Sequence, residues 1–351
     1  MSLPASTIVQ TECAPVDVSL KVKLAFLKNG SPWPSEPPPD CIETHASYVF
    51  LTRDRAWKLK KPVRLMHIDQ RTLATRAHLC REEVRLNREL AGSVYRGVVP
   101  LVERAGGGMA LGGEGRVVDW LVEMVRLPAA LMLDFRLKAG LPPRLSEIVS
   151  LGDLLVSFYS KQQRTGDMGH RFYQRLLRDS RTNAAHLCEM QHHLCSPLRA
   201  DVLDFALPAL ESCREEIIAR ASQGFLCEGH GDLRAEHVCL ADPLVVFDRI
   251  EFDHDIRLVD PFFEFNGLGI ECAFADAAWI RAIMLLRLSQ TIPPPSRTLL
   301  TTYGVVTCLT RARLAIDHLR DADVRTPAKW PARARLYQGA AAALIENLGT
   351  G

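Results

Sequence analysis

Two aspartates in the second half of the chain have the setting that phosphoryl-transfer chemistry requires. Asp232 lies in the sequence HGDLRAEH, residues 230–237, and Asp248 directly follows the apolar residues 245–247. A carboxylate in a loop can orient or deprotonate an attacking hydroxyl, and a second carboxylate can hold the metal ion that neutralises nucleotide phosphates. The order of the two aspartates, with a short hydrophobic hairpin between them, therefore predicts a phosphotransferase site.

The composition narrows the class of protein without defining a function. At 351 residues the chain is longer than one average domain, and its net charge of +2 gives no reason to expect nucleic acid or an anionic membrane as a partner. Neither a secretory signal nor a transmembrane helix is expected, because no basic segment leads into an apolar core and no long apolar run occurs. The 10 cysteines are scattered without a C-x-x-C pair, which is typical of reduced thiols in the cytoplasm.

Hydrophobic periodicity predicts a β-rich first part and a helical second part, which is an α+β fold. Alternation predicts a hairpin with strands over residues 48–51 and 56–60, and a longer period predicts a helix over residues 73–90. The glycines of residues 106–115 predict turns, because the order of a phosphate-binding P-loop is absent there. Further helices are predicted over residues 148–163, 172–195 and 201–221. The predicted segments are a leader (1–42, with a short helix over 16–27), an N-lobe (43–125) and a C-lobe (126–351).

Four further motifs accompany the H-G-D loop. In chain order they are ETHASYVFL (43–51), WKLKKPV (57–63), EEVRLN (82–87) and FDRIEF (247–252). Together with the loop, they resemble the aminoglycoside phosphotransferases, and in particular a bacterial branch that is often fused to a P-loop ATP-binding domain. The resemblance implies a two-lobed protein-kinase-like fold of class α+β, with a small β-rich N-lobe and a larger, mostly helical C-lobe.

The resemblance implies a role for each polar residue of the loop. Asp232 matches the catalytic aspartate, and Asp248 matches the metal-binding aspartate of the D-F-G element. Arg234 stands where a cationic side chain would hold the transferring phosphoryl group, with a solvated surface arginine as the alternative. His237 stands where kinases place an asparagine. Three interpretations of it stay open: one metal suffices, His237 forms a hydrogen-bond bridge, or the metal preference shifts away from Mg²⁺.

Nucleotide-binding residues are implied in the first part of the chain. Lys58 is the expected phosphate lysine and Lys60 is the alternative, because both side chains lie on one face of a strand of period two. Glu83 is the expected partner of that lysine, and the neighbouring Glu82 is the alternative.

Two further residues are expected at the nucleotide. Ser47 closes a turn that would cover the phosphates, and Met124 lies in the strand that leads to the hinge where backbone groups would read adenine. The expected cofactors are ATP and Mg²⁺, with Mn²⁺ as an alternative.

The expected activity is transfer of the γ-phosphate of ATP to a hydroxyl of a small-molecule acceptor. The alternative is a nucleotide-binding pseudokinase or scaffold without turnover, which His237 and the absence of a glycine-rich phosphate loop favour.

An acidic run that follows Asp248 either binds a cationic acceptor or supplies helix caps and charges on helix surfaces. Its members are Glu251, Asp253, Asp255, Asp260, Glu264 and Glu271, and Asp260 is expected to pair with the loop after Asp248. No nucleic-acid or membrane partner is expected, and a P-loop partner would be a separate protein, since the sequence contains no Walker A motif.

Overall fold

The chain folds as two compact units. The computed structural model describes residues 17–65, 68–162, 168–194, 197–320 and 326–349. The first unit comprises the chain up to residue 81 and residues 96–126, and the second comprises residues 82–95 and 127–351. Residues 1–16 of the predicted leader lie outside the described residues. In the described ranges, no helix is both long enough and apolar enough to cross a membrane.

The first unit is built around one antiparallel sheet. Its elements are α1 (Leu20–Lys28), β1 (Asp40–Glu43), β2 (Ser47–Leu51), β3 (Arg55–Lys60), β4 (Arg64–Leu65), β5 (Ile68–Asp69), α2 (Leu73–Ala91), β6 (Tyr95–Glu103), β7 (Met109–Leu111) and β8 (Arg116–Val125). The strand order in the sheet is β1-β2-β3-β8-β6-β7, and β4 and β5 form a separate pair. Residues 82–95, which include the second half of α2 and the first residue of β6, belong to the second unit.

The hairpin, the helix and the glycine turns that the sequence predicts are confirmed. Strands β2 and β3 pair antiparallel, with Ser47 opposite Lys60. Helix α2 ends one residue beyond the predicted range of 73–90. Gly115 has a φ of +149°, and a Cβ there would lie 2.4 Å from the carbonyl oxygen of Glu103, so only glycine fits at this turn.

A buried ion triad ties two helices to the sheet of the first unit. Lys23 of α1 places its Nζ 2.9 Å from Oδ2 of Asp119, which lies in β8. Arg76 of α2 places its Nε 2.8 Å from Oδ1 of the same carboxylate. All three side chains are buried. Two cations therefore depend on one carboxylate in a site with little solvent.

The second unit is mostly helical. Its helices are α3 (Leu133–Lys138), α4 (Leu145–Lys161), α5 (Met168–Glu189), α6 (Ala200–Ser212), α7 (Arg214–Ser222), α8 (His254–Arg257), α9 (Pro261–Ala273), α10 (Ala278–Ser289), α11 (Arg297–Asp317) and α12 (Lys329–Gly349). Its strands are β9 (Cys227–Glu228), β10 (Val238–Cys239), β11 (Val245–Val246) and β12 (Leu258–Val259). The predicted hairpin between the two aspartates is confirmed, since β10 and β11 pair antiparallel.

Two predicted helices differ most from the structure in their bounds. The helix predicted over 172–195 begins at Met168 and ends at Glu189. The helix predicted over 201–221 is two helices, α6 and α7, separated at Cys213, whose φ of −90° and ψ of 0° interrupt the helical backbone. The apolar periodicity continues across this break, so the pattern alone could not show it.

Apolar burial anchors the segment that carries the two aspartates. Leu233 and Ala235 of the loop and Val246 of β11 belong to one buried core with Leu155 of α4 and Phe265 of α9. Burial of each large aliphatic side chain stabilises the fold by about 1.5–3 kcal/mol. The loop is therefore attached to the interior of the second unit by side chains that directly follow Asp232 and by the hairpin that leads to Asp248.

Candidate functional site

A buried glutamate holds the backbone of the loop that carries Asp232. Glu264 of α9 accepts a hydrogen bond from the backbone N–H of His230 at 3.0 Å and one from that of Gly231 at 2.5 Å. The hydroxyl of Tyr159 donates a third bond to Glu264 at 2.5 Å. Gly231 has a φ of +89°, a conformation that favours glycine. Glu264, one member of the acidic run, therefore braces this loop.

His230 is a buried, neutral brace of the same loop. Its Nε2 lies 2.9 Å from the carbonyl oxygen of Phe247, which can only accept, so Nε2 carries the proton. Nδ1 then accepts a bond from the backbone N–H of Asp232 at 3.3 Å. Burial, followed by the neighbouring His237, lowers the pKa of His230 to about 3. The imidazole therefore links the two aspartate segments without a charge.

This lowered pKa predicts an acid-sensitive fold. The unfolded chain protonates His230 below about pH 6.5, whereas the folded protein does not until about pH 3. The stability that this group contributes is therefore complete above pH 6.5 and is lost as the pH falls toward 3. Between pH 6.5 and pH 5, the free energy of unfolding should fall by about 2 kcal/mol more in the wild type than in His230→Asn, as urea titrations would measure. The exposed His192→Asn should behave like the wild type, and equal slopes for wild type and His230→Asn would contradict the prediction.

His237 lies between the two aspartates. Its Nδ1 is 2.8 Å from the backbone carbonyl oxygen of Asp232 and therefore donates to it. Its Nε2 is 3.5 Å from Oδ2 of Asp248. The imidazole is almost completely buried, and its ring stacks on that of His230 with centroids 5.9 Å apart. His237 thus hydrogen-bonds to the backbone of Asp232 and faces the Asp248 carboxylate with Nε2, and the choice among the three interpretations stays a prediction.

The backbone around Asp248 is held in an uncommon conformation. Asp248 has a φ of +62°, in the left-handed region that few residues other than glycine adopt. Its N–H donates to the hydroxyl of Tyr95 at 3.3 Å. Asn87 of α2 accepts from the N–H of Arg249 at 2.8 Å and donates to the carbonyl of Arg249 at 3.3 Å. These contacts fix the backbone, while the Asp248 side chain stays 41% exposed. The carboxylate is therefore presented outward on a rigid support.

Arg249 replaces the phenylalanine of a D-F-G element and acts as a structural anchor. Its guanidinium is buried over the ring of Phe158, with 4.9 Å between the carbon Cζ and the ring centroid. Its Nε donates to the carbonyl oxygen of Gly229 at 2.9 Å, and Nη1 lies 3.1 Å from Glu89. Burial lowers the pKa of this guanidinium. Arg249 therefore connects the segment after Asp248 to the start of the Asp232 loop.

Asp248 and His237 provide two donors that fit one metal ion. Because Nδ1 of His237 carries the proton, Nε2 has a lone pair available beside the Asp248 carboxylate. Carboxylate oxygen suits Mg²⁺ and Mn²⁺, and imidazole suits the softer ions better. Within the part of the chain that the structure describes, no group of three or more His, Cys, Asp and Glu side chains could hold a metal. A metal at this point would therefore take most of its ligands from phosphate and water oxygens.

Arg234 is not the solvated surface arginine that the sequence left open. Its side chain is 20% exposed, and its Nε lies 3.1 Å from Oε1 of Glu271 on α9. It also forms an ion pair with Glu236, and Glu271 accepts a bond from the hydroxyl of Tyr337 on α12 at 2.5 Å. Burial acts to lower the pKa of Arg234, but the charges of Glu271, Asp232 and Glu236 outweigh it and raise the pKa. The guanidinium is therefore always charged and is held beside the loop.

Arg311 of α11 is a site residue that sequence analysis missed. Its Nη2 donates to Oδ1 of Asp232, and its Nε lies 4.0 Å from Glu271. Burial acts to raise the pKa of Asp232, but Arg311, then His237 and Arg234, outweigh it and hold the pKa below its usual range. Nothing in the local pattern singles out one arginine of a long helix, 79 positions away from its partner. Asp232 is therefore ionised and paired in this structure.

A small pocket opens beside Asp232 in the second unit. Its walls come from the loop, from α9 and from α11. The lining residues are Gly231, Asp232, Leu233, Phe263, Glu264, Gly267, Glu271, Thr307 and Arg311. Gly267 lets the two helices approach, because a Cβ there would lie 3.2 Å from Cγ2 of Thr307. Its volume of about 30 Å³ has room for water-sized groups, so only the end of a small molecule would enter it beside the Asp232 carboxylate.

The prediction that Asp260 pairs with the loop after Asp248 is wrong. Asp260 caps α9 by accepting from the N–H of Phe262 at 3.0 Å, and it forms a buried pair with Arg220 of α7 at 2.6 Å. Asp253 similarly caps α8 through the N–H of Asp255 at 2.8 Å. Buried carboxylates need a partner, and the helix N-terminus and Arg220 supply it. These two members of the acidic run are therefore structural.

The residues predicted to bind a nucleotide in the first unit lie on neighbouring strands. Ser47 begins β2 opposite Lys60 in β3, and its N–H donates to the Thr44 hydroxyl at 3.0 Å, which closes the predicted turn. Lys58 lies opposite Val122, two residues before Met124 in β8. Lys60 is buried and Lys58 is half-buried. Their roles stay predictions, as does the choice between them.

Glu83 and Glu82 differ in their surroundings within the second unit. Glu83 is fully buried in α2, and the backbone carbonyl of this residue accepts from the side chain of Asn87 at 2.9 Å. Glu82 is partly exposed and pairs with Arg85 at 2.7 Å. A carboxylate that is already paired at the surface is the weaker candidate for a lysine partner, so this difference favours Glu83.

Comparison with known proteins supports the fold assignment. No family model matches the chain. Uncharacterized proteins of Mycobacterium tuberculosis and Mycobacterium bovis are each 27% identical over 293 residues, which are 78% of this chain and 55% of those proteins. The chain thus spans about half the length of these curated relatives. A solved structure of an aminoglycoside 2′-phosphotransferase IIIa mutant in complex with GDP superimposes with a TM-score of 0.52 at 13% identity, covering 92% of this chain and 98% of that one. The predicted two-lobed, kinase-like α+β fold of the aminoglycoside phosphotransferases is therefore confirmed.

Proposed function

We propose that this protein transfers the γ-phosphate of ATP to a hydroxyl of a small-molecule acceptor. The observation that carries the proposal is the position of the His237 imidazole, whose Nδ1 is 3.8 Å from the Asp232 carboxylate and whose Nε2 is 3.5 Å from the Asp248 carboxylate. The fold is that of a phosphotransferase known to bind a nucleotide. The order of the two aspartates in the sequence and their proximity in space both support a site with two carboxylates.

Asp232 would act as the catalytic base and would mainly orient the acceptor hydroxyl. Its pKa lies below the usual range, so the carboxylate is ionised at neutral pH but is only weakly basic. Such a base accepts the proton late, once the hydroxyl oxygen has begun to bond to phosphorus. Phosphoryl transfer through a loose transition state depends mostly on positioning and charge stabilisation, which a weak base in a rigid loop can supply.

Asp248 would hold the metal ion together with His237. Bound there, Mg²⁺ or Mn²⁺ would neutralise the charge of the nucleotide phosphates. Arg234 would stabilise charge on the transferring phosphoryl group while it keeps its ion pair with Glu271. In the first unit, Lys58 or Lys60, Ser47 and Met124 would contact the nucleotide, and Glu83 would position the lysine. These nucleotide contacts rest on the resemblance of the motifs.

A nucleotide-binding scaffold without turnover is the second candidate function. The ion pair between Arg311 and Asp232 favours it, because a paired carboxylate is less available to an acceptor hydroxyl. The two candidates share nucleotide binding and differ in phosphoryl transfer. A separate P-loop protein stays a proposed partner, and co-purification with tagged protein would test it.

Calorimetric titration of ATP, first with Mg²⁺ and then with Mn²⁺, tests the nucleotide site. We expect binding that requires a divalent ion and that weakens at least about tenfold in Asp248→Ala, because a charge-assisted ligand is lost. Asp204→Ala, which removes an exposed carboxylate of α6, is the matched control and should bind as the wild type does. Absence of binding with either metal would overturn both candidate functions.

A further inference from the structure

Three arginines surround one carboxylate at the wall of the pocket beside Asp232. Glu271 lies 3.1 Å from Arg234, 4.0 Å from Arg311 and 3.9 Å from Arg333 of α12. The same carboxylate accepts a hydrogen bond from Tyr337 at 2.5 Å. Burial acts to raise the pKa of Glu271, but the arginines and Tyr337 outweigh it and lower the pKa. The charge of Glu271 is therefore already neutralised by ion pairs and a hydrogen bond within the protein.

The other acidic groups near this wall also have hydrogen-bond or ion-pair partners within the protein. Glu264 accepts three hydrogen bonds from the loop and from Tyr159. Glu236 pairs with Arg234 away from the pocket lining. Asp232 is paired with Arg311, and in the proposed reaction it must face the acceptor hydroxyl. A cationic acceptor in this pocket would thus meet the Arg311 guanidinium and carboxylates that already have protein partners.

Arg311 lines the pocket and has more donors than its contacts use. A guanidinium has five N–H donors, and in the described part of the chain Arg311 contacts Asp232 through Nη2 and Glu271 through Nε. Its side chain is 18% exposed, and none of its nitrogens is among the buried atoms without a hydrogen-bond partner, so its remaining donors reach solvent at the pocket. An anionic group that displaces this solvent would accept hydrogen bonds from these donors in a bidentate manner.

We propose that the acceptor is a small alcohol that carries a carboxylate or phosphate group, and that Arg311 binds this group. The inference rests on the proposed function, since it takes Asp232 as the group that faces the hydroxyl. Arg311 touches Asp232, so an anion bound by Arg311 lies only a few bonds from a hydroxyl at Asp232. This reverses the expectation of a cationic acceptor that the acidic run suggested. Arg311 is a specificity-determining residue in this proposal.

A series of three-carbon alcohols that differ in charge tests the proposal. The probes are D-glycerate and glycerol 3-phosphate (anions), glycerol (neutral) and serinol (a cation), and they are titrated by calorimetry into protein saturated with Mg²⁺ and a non-hydrolysable ATP analogue. We expect one or both of the two anions to bind at least about tenfold more tightly than glycerol and serinol. The two anions separate carboxylate from phosphate recognition. ADP release with ATP should follow the same order.

Variants of Arg311 separate a binding role from a structural one. Arg311→Gln should reduce the preference for anions over glycerol at least about tenfold, whereas a purely structural role would weaken all probes equally. Arg311→Lys keeps the charge and should keep part of the preference, and it remains informative if Arg311→Gln does not fold. Arg335→Gln, an exposed change two residues from Arg333, should behave as the wild type does.

The outcomes distinguish this inference from the proposed function. Equal or tighter binding of glycerol or serinol, binding of none of the four probes, or an unchanged anion preference in Arg311→Gln would overturn the anionic acceptor. If the nucleotide still binds in those cases, the proposed nucleotide site stands. Failure of the nucleotide itself to bind would overturn the proposed function and the inference that rests on it.

Discussion

Asp232→Asn should reduce kcat for phosphoryl transfer about a thousandfold while the affinity for ATP stays within a few-fold of the wild type. The amide has nearly the same shape as the carboxylate, but it cannot take up the proton of the acceptor hydroxyl. A general base contributes about 10²–10⁴-fold to the rate of such reactions. The loop geometry should persist, because Glu264 and His230 hold the backbone and not the Asp232 side chain. Coupled measurement of ADP formation with the best acceptor of the charge series, alongside calorimetry, gives both quantities.

Controls make this result specific to the carboxylate. Asp204→Asn removes an exposed carboxylate of α6 and should leave kcat unchanged. A loss of kcat below about tenfold in Asp232→Asn would show that another group accepts the proton or that none is needed. A wild-type protein that binds ATP but phosphorylates no acceptor would favour the scaffold, and Asp232→Asn would then change nothing measurable in turnover.

Asp119→Asn should lower the free energy of unfolding of the first unit by about 3–5 kcal/mol. Lys23 and Arg76 are both buried, and Asp119 is the carboxylate that they share. Removing one partner of a buried ion pair leaves an uncompensated charge, which is the reason for the large cost. Here two cations would lose their counter-ion at once. Urea titration followed by amide hydrogen exchange over α1 and β8 would measure the loss where it arises.

An exposed change provides the comparison for this stability effect. Asp54→Asn lies in the turn before β3, outside the buried triad, and should change the free energy of unfolding by less than about 0.5 kcal/mol. If Asp119→Asn destabilised the protein by less than about 1 kcal/mol, water or an anion would have to compensate the two cations. If Lys58 or Lys60 contacts the nucleotide, as proposed, a loosened first unit should also bind nucleotide less tightly.

Local patterns were sufficient for much of the fold because they depend on short-range physics. Alternation over residues 48–51 and 56–60 predicted β2 and β3, and the helical period over 73–90 predicted α2 to within one residue. Patterns failed where the decision was a single dihedral angle, as at Cys213 between α6 and α7. They also failed for the partner of Asp260, since a buried carboxylate takes whichever cation the packing brings to it.

The sequence by itself predicted the residues of the proposed chemistry, because Asp232, His237 and Asp248 occur at a spacing that a loop and a hairpin require. It could not determine the charge of the surroundings. Helix packing brings Arg311 to Asp232 across 79 positions, and it commits Glu264 and Glu271 to the loop and to arginines. Contacts between residues so distant in the chain depend on how the helices pack and not on any local pattern. Only the tertiary structure therefore decided that Arg311 lines the pocket beside Asp232 and that Glu264 and Glu271 already have protein partners there.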